Sequence, residues 1–258
     1  MSNIKKAFEN QKAFIAFLTC GDPDLNTTEE LIKAIAGAGA DIIELGIPFS
    51  DPTAEGPVIQ AANMRALKNG VTTDKIFDMV RRVRKAVEVP MVFMTYANVV
   101  FSYGTEEFVK TAAEIGMDGL ILPDVPFEEK EDFAPFCKRY GLDFISLIAP
   151  TSNERIGKIV REAEGFVYCV SSLGVTGIRS EITSNVDAMF RLVRESKDIP
   201  AAVGFGISTP KQAAEMASKA DGVIVGSAIV KLIGQYGHGA AGPVSEYVRE
   251  MKHALAPI

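Results

Sequence analysis

The 258-residue chain has no tryptophan, two histidines and three cysteines, and each shortage closes a route to function. His238 and His253 both fall late in the chain, so neither a histidine-centred metal site nor a Ser-His-Asp triad is available to the rest of the fold. No metal is expected. Cys20, Cys137 and Cys169 are odd in number, far apart and set among apolar residues, the pattern of reduced core thiols rather than of a disulfide framework. No apolar run approaches the roughly 20 residues of a membrane-spanning helix, so no membrane association is expected. The formal charge of -6, with no Lys/Arg cluster interleaved with aromatics, argues against nucleic acid as a partner. A soluble cytoplasmic protein is expected.

What is present is apolar mass in short, regular pieces. With 47% hydrophobic residues, a chain of this length buries roughly 70 to 75% of its unfolded surface as a single domain spanning residues 1–258. Lys5 and Lys6 ahead of Ala13–Cys20 imitate an export signal. Glu9 and Lys12 interrupt it, no small-residue cleavage site follows, and Gly21-Asp22-Pro23 reads as the turn that ends a first strand. Seven further apolar runs follow, at 41–47, 90–96, 119–124, 143–149, 165–171, 200–206 and 222–228, separated by helical patterns such as Thr27–Gly39, Thr73–Val87 and Asn185–Ser196. Eight such units in this length predict an α/β fold of the closed (β/α)8 TIM-barrel type. The long gap after the second strand leaves room for an extra helix near Val58–Lys68.

Chemistry on such a barrel belongs at the C-terminal ends of the strands. No lysine lies within the eight runs, which counts against Schiff-base chemistry and leaves carboxylates and tyrosine. Along Asp41-Ile-Ile-Glu44-Leu-Gly46, alternation sends Ile42, Glu44 and Gly46 to one face and Ile43 and Leu45 to the other. An ionisable group facing inward is costly unless paired or used, so Glu44 is a candidate acid/base residue. Asp51 and Glu55 follow on a loop stiffened by proline and glycine. Gly204-Phe-Gly206 and Gly226-Ser227, after the seventh and eighth strands, fit an anion site built from backbone amides and a helix N-terminus. Gly174-Val-Thr-Gly177, after the sixth, has the composition of a lid, with Thr176 supplying a hydroxyl and Gly177 an amide.

Taken in order, Phe17-Leu-Thr-Cys-Gly-Asp-Pro23, Glu44-Leu-Gly-Ile-Pro-Phe-Ser-Asp-Pro52, Asp124-Val-Pro126, Gly174–Gly177, Gly204-Phe-Gly-Ile207 and Gly226-Ser-Ala-Ile-Val230 resemble the tryptophan synthase alpha subunit family over essentially the whole chain. The resemblance implies a carbon-carbon lyase: retro-aldol cleavage of indole-3-glycerol phosphate to indole and glyceraldehyde 3-phosphate. It implies no cofactor in this chain and a beta-subunit partner, in an alpha2beta2 assembly, that holds pyridoxal phosphate and joins indole to serine. By resemblance Glu44 is the acid/base and Glu55 stands where the family has the aspartate that pairs with the indole N–H. Phe17, Met94, Tyr96 and Tyr168 are expected against the substrate, and Thr176, Gly177, Gly206, Gly226 and Ser227 at its lid and phosphate. The absence of tryptophan suits an enzyme that must be made when tryptophan is scarce.

One position departs from the pattern. The family usually shows Ala-Asp-Gly-Pro where this chain has Ala54-Glu55-Gly56-Pro57, which keeps the charge and lengthens its reach. Two alternatives stand beside the lyase. One is a weakened alpha-like subunit that mainly binds and activates a beta partner, and the other is a different phosphate-binding barrel isomerase or epimerase.

Overall fold

The computed structural model describes residues 3–170, 179–204 and 206–255. Nine parallel strand segments form one sheet in the order β5-β4-β3-β2-β1-β9-β8-β7-β6. They are β1 (Ala13–Thr19), β2 (Ile42–Gly46), β3 (Met91–Met94), β4 (Gly119–Ile121), β5 (Asp143–Phe144), β6 (Ser146–Ile148), β7 (Val167–Val170), β8 (Ala201–Gly204) and β9 (Gly222–Val225). The expected fifth run is divided at Ile145. Its first half pairs with β4 and its second with β7, and the Ile145 amide still donates to the Leu120 carbonyl at 3.0 Å. One stave thus turns from one neighbour to the other and brings the two ends of the sheet together, giving an eight-stave barrel.

Alternation along the strands separates two apolar regions. Ile15, Ile42, Val92, Ile121, Ile145, Phe166 and Ile224 fill the barrel interior, which Ile4 of the short helix α1 (Asn3–Lys6) plugs from the N-terminal side. Ile43, Leu45, Phe14, Leu18 and Phe93 point the other way, into the larger core beneath the helices. Glu44 therefore faces inward, as the pattern predicts.

The first connecting helix, α2 (Leu25–Gly37), begins two residues earlier than the expected start at Thr27. Asp24 is the cap, its side chain accepting the Thr27 amide at 2.7 Å, so Thr27 lies inside the first turn. The extra helix is α3 (Pro57–Lys68), with proline in its first turn where no amide donor is needed. It is fastened to the turn after β1. The Arg65 guanidinium donates to both oxygens of the buried Asp22 at 2.7 and 2.8 Å, and the Asn69 amide donates to the Pro23 carbonyl at 2.6 Å.

The remaining helices are α4 (Thr73–Val83), α5 (Ala97–Tyr103), α6 (Thr105–Glu114), α7 (Ala134–Tyr140), α8 (Asn153–Glu162), α9 (Arg179–Ser196), α10 (Pro210–Ala217), α11 (Ser227–Tyr236) and α12 (Ala241–His253). α4 ends four residues short of the expected Val87. There the Arg84 side chain leaves the helix line and donates to the carbonyls of Val87, Val89 and Gly116. Among the described residues no helix is long and apolar enough to cross a membrane, and the three cysteines are buried thiols.

Candidate active site

A cavity of ≈630 Å³ opens at the C-terminal end of the barrel. Its floor and walls come from strand ends, namely Phe17 of β1, Glu44 of β2, Met94 of β3, Tyr168 of β7 and Ile224 of β9. Glu55 and Gly56 close one side from the loop before α3, and Gly226, Ser227 and Ala228 close the other at the start of α11. Residues as far apart in the sequence as Phe17 and Ala228 are thus placed around one space by the alternation of short strands and returning helices.

Glu44 is completely buried, and neither carboxylate oxygen has a hydrogen-bond partner among the described residues. Burial alone pushes its carboxyl up to about 8, so near neutral pH the group is protonated and able to give that proton away. Its strand neighbour Phe17 supplies the apolar surroundings. The Phe17 ring needs the space over Gly46, where an added Cβ would lie 2.7 Å from it. Phe17, Ala62 and Val230, joined by Val58, Ile59 and Met94, form an apolar wall of the size and character suited to a flat aromatic ring.

The second carboxylate is held from α3. Asn63, buried on the second turn of that helix, donates its amide to Glu55 Oε2 at 2.7 Å, while Gln60 donates to the Glu55 carbonyl at 2.8 Å. Burial raises the Glu55 carboxyl to about 7, outweighing the opposing effect of the Asn63 hydrogen bond. The cavity thus holds two carboxylates poised near neutrality within one shared wall.

Not every expected residue reaches the cavity. Tyr96 is expected against the substrate, but β3 ends at Met94 and Tyr96 becomes the N-cap of α5. It stands behind the loop, its hydroxyl accepting the Ala54 amide at 3.0 Å and its ring stacking on Phe49 at 5.2 Å between centroids. Tyr96 steadies the segment next to Glu55 rather than lining the cavity. Asp124, the other strand-end carboxylate, accepts the Ala97 amide with both oxygens at 3.1 Å and so caps α5. Thr176 and Gly177 lie outside the described residues.

Tyr168 is buried beside Glu44, and burial first, then the Glu44 charge, raises its hydroxyl pKa. Its hydroxyl occupies the space over Gly204, where a Cβ would come within 2.6 Å. Gly204→Ala should therefore force Tyr168 into the cavity and cost about 1 to 3 kcal/mol by overpacking. Urea denaturation measures the cost, and an unchanged midpoint would mean that the ring is not where this close approach puts it.

At the far end, Gly226 is the N-cap of α11 and has no side chain to cap it, so the first amides of the helix, beside the cavity at Gly226 and Ser227, lack intrahelical acceptors. Gly206 completes this end with φ of 78°, a conformation suited to glycine.

The comparisons with known proteins agree along the whole chain. Residues 2–256 match the family described as Tryptophan synthase alpha chain. This chain belongs to that family. The alpha chain of Lacticaseibacillus casei is 46% identical over 255 residues, covering 99% of this chain and 96% of the relative. That of Geobacter sulfurreducens is 50% identical over 248 residues, 95% and 94% of the two chains. Among solved structures, tryptophan synthase subunit alpha from Legionella pneumophila superposes with a TM-score of 0.90 at 37% identity, covering 99% of this chain and 98% of that one. A chain of the aminoacrylate-bound tryptophan synthase of Mycobacterium tuberculosis superposes with a TM-score of 0.89 at 31% identity, covering 99% and 100%. Tryptophan synthase alpha chains are lyases that cleave indole-3-glycerol phosphate in tryptophan biosynthesis, and they pair with a beta subunit.

Ile59 and Lys231 are among the cavity-lining residues that sequence reasoning missed, and Asn63, which holds Glu55 from α3, was missed with them. A signal existed in each case. Ile59 and Asn63 are spaced by four on α3, and Ser227 and Lys231 by four on α11, so each pair falls on one helical face once the helices are placed.

Proposed function

We propose that in this alpha chain Glu44 carries the acid/base chemistry of the retro-aldol reaction, with Glu55 as partner of the indole N–H. The observation that supports this best is Glu44 itself, a buried carboxyl with no hydrogen-bond partner among the described residues, pushed up to about 8 and facing the cavity. Its proton goes to indole C3, which leaves a positively charged ring nitrogen. The ionised Glu44 then takes the proton of the adjacent carbinol hydroxyl. As that O–H pair becomes the aldehyde C=O, the carbon–carbon bond breaks and its electrons restore the neutral indole. Protons given and taken balance, so no cofactor is consumed. Glu55, held by Asn63, offsets the charge on the ring nitrogen while it lasts.

The phosphate of the substrate binds at Gly206, Gly226 and Ser227, with Thr176 and Gly177 closing over it. Phe17, Met94 and Tyr168 enclose the indole. The partner is a beta subunit in an alpha2beta2 assembly, which holds pyridoxal phosphate and condenses indole with serine in the cytoplasm. It docks on the loops after β2, β3 and β7, with Asp51, Pro52, Pro57, Asn98 and the half-exposed Phe101 as its contacts.

The test is release of indole and glyceraldehyde 3-phosphate from indole-3-glycerol phosphate, with and without a beta subunit. Absence of both products in both conditions would leave a binding subunit in place of an enzyme. For the phosphate end, Ser227→Asp is the informative variant. An acidic residue in the first turn favours the helix, so the fold is kept, while its charge opposes the phosphate. KM should rise about tenfold or more. Unchanged KM and unchanged inhibition by inorganic phosphate would move the phosphate elsewhere.

A further inference from the structure

We propose that Lys231 is a specificity-determining residue of this site, supplying a formal positive charge that selects a phosphomonoester dianion over an uncharged glycerol side chain. The inference rests on the phosphate reading of the α11 N-terminus given above. Among the described residues lining the cavity, Lys231 is the sole cationic side chain, while Glu44 and Glu55 are acidic. It lies one helical turn beyond Ser227, and Ser227, Lys231 and Gln235 all line the cavity, so the helix turns that face inward.

The electrostatics favour such a group. Backbone amides and the helix dipole offer partial charges but no net charge, and the ligand brings a dianion into a cavity that also holds the Glu55 carboxyl, in a chain of net charge -6. Lysine suits the role because its ammonium acts as a point charge on a flexible stem and needs no fixed fork geometry. Lys231 is also uncommitted. Lys252 pairs with Asp41 at 2.6 Å and Lys219 with Asp187 at 3.0 Å, whereas Lys231 makes no ion pair or hydrogen bond with another described residue. An exposed lysine that pairs with no other described residue and lines an anion-binding cavity is available to the ligand.

Steady-state kinetics on the alpha chain in complex with its beta subunit, together with inhibition by inorganic phosphate, tests this. For Lys231→Gln, KM for indole-3-glycerol phosphate and the inhibition constant for phosphate should both rise roughly five- to tenfold, the effect lying in KM rather than kcat. Lys231→Arg should restore both to within about twofold. The parent's KM should climb with added salt, and the Gln variant's should climb less, because a charge pair has been removed. If Lys231→Gln leaves both constants unchanged while Ser227→Asp raises them, Lys231 is a solvated surface charge and the inference is wrong, though the phosphate site stands. If neither variant changes them, the phosphate reading itself fails. A loss confined to kcat, with an unaltered thermal midpoint, would also overturn the proposal, since it would place Lys231 in the chemistry and not in anion selection.

Discussion

Glu44→Gln should lower indole release by about 100- to 10,000-fold, the usual cost of one acid/base group, and should also make the protein relatively more stable at alkaline pH. The two effects have one cause. Burial raises the Glu44 carboxyl from 4.5 to about 8, so the folded chain keeps a proton that the unfolded chain releases. The stability this provides is complete below about pH 4.5 and is lost as pH rises through 8, a total on the order of 5 kcal/mol. Glutamine is neutral throughout. Its buried amide costs something, but the same amount at every pH. The difference in stability between variant and parent should therefore move in the variant's favour from pH 5 to pH 9, measured by denaturant titration at both values. A difference that is the same at both would mean that Glu44 ionises as readily in the fold as in water. A variant that cleaves substrate within threefold of the parent would remove Glu44 from the chemistry.

Glu44 was legible in the sequence because the signal is local. Alternation along 41–46 fixes its face, and a carboxylate on an inner face has few structural uses. Phe17, Met94 and Tyr168, which the resemblance puts against the substrate, all lie within strands and line the cavity. Tyr96, expected beside them, does not, because β3 ends two residues earlier. Pattern reading fails at Ile145, because the stave that changes neighbours looks from its sequence like any other apolar run. The helix-borne parts are the least legible. Asn63 and Lys231 depend on how α3 and α11 sit against the barrel mouth. For α3 that position is set by the Arg65–Asp22 fork, a contact between residues 43 positions apart.

The glutamate that replaces the family's aspartate allows size and charge to be set against each other. With one more methylene, Glu55 would overreach an indole N–H placed for aspartate, unless the side chain is drawn back. Asn63 draws it back, holding Oε2 toward α3 at 2.7 Å and leaving Oε1 for the ligand. Glu55→Asp should then keep at least about a tenth of the activity, since the carboxylate remains and the loop is still anchored through Gln60 and Tyr96. Glu55→Gln preserves size but cannot offset positive charge on the ring nitrogen, and should lose about 100-fold. A subunit kept only for binding predicts a different order, with low parent activity that Glu55→Asp raises about tenfold. Initial rates of indole release for the three proteins, at saturating beta subunit, separate these outcomes. Should the Gln variant match the parent, Glu55 has no charge-dependent role. Asp124 would not then take its place, because it caps α5 at the Ala97 amide and does not line the cavity, and Glu44 would have to carry the reaction alone.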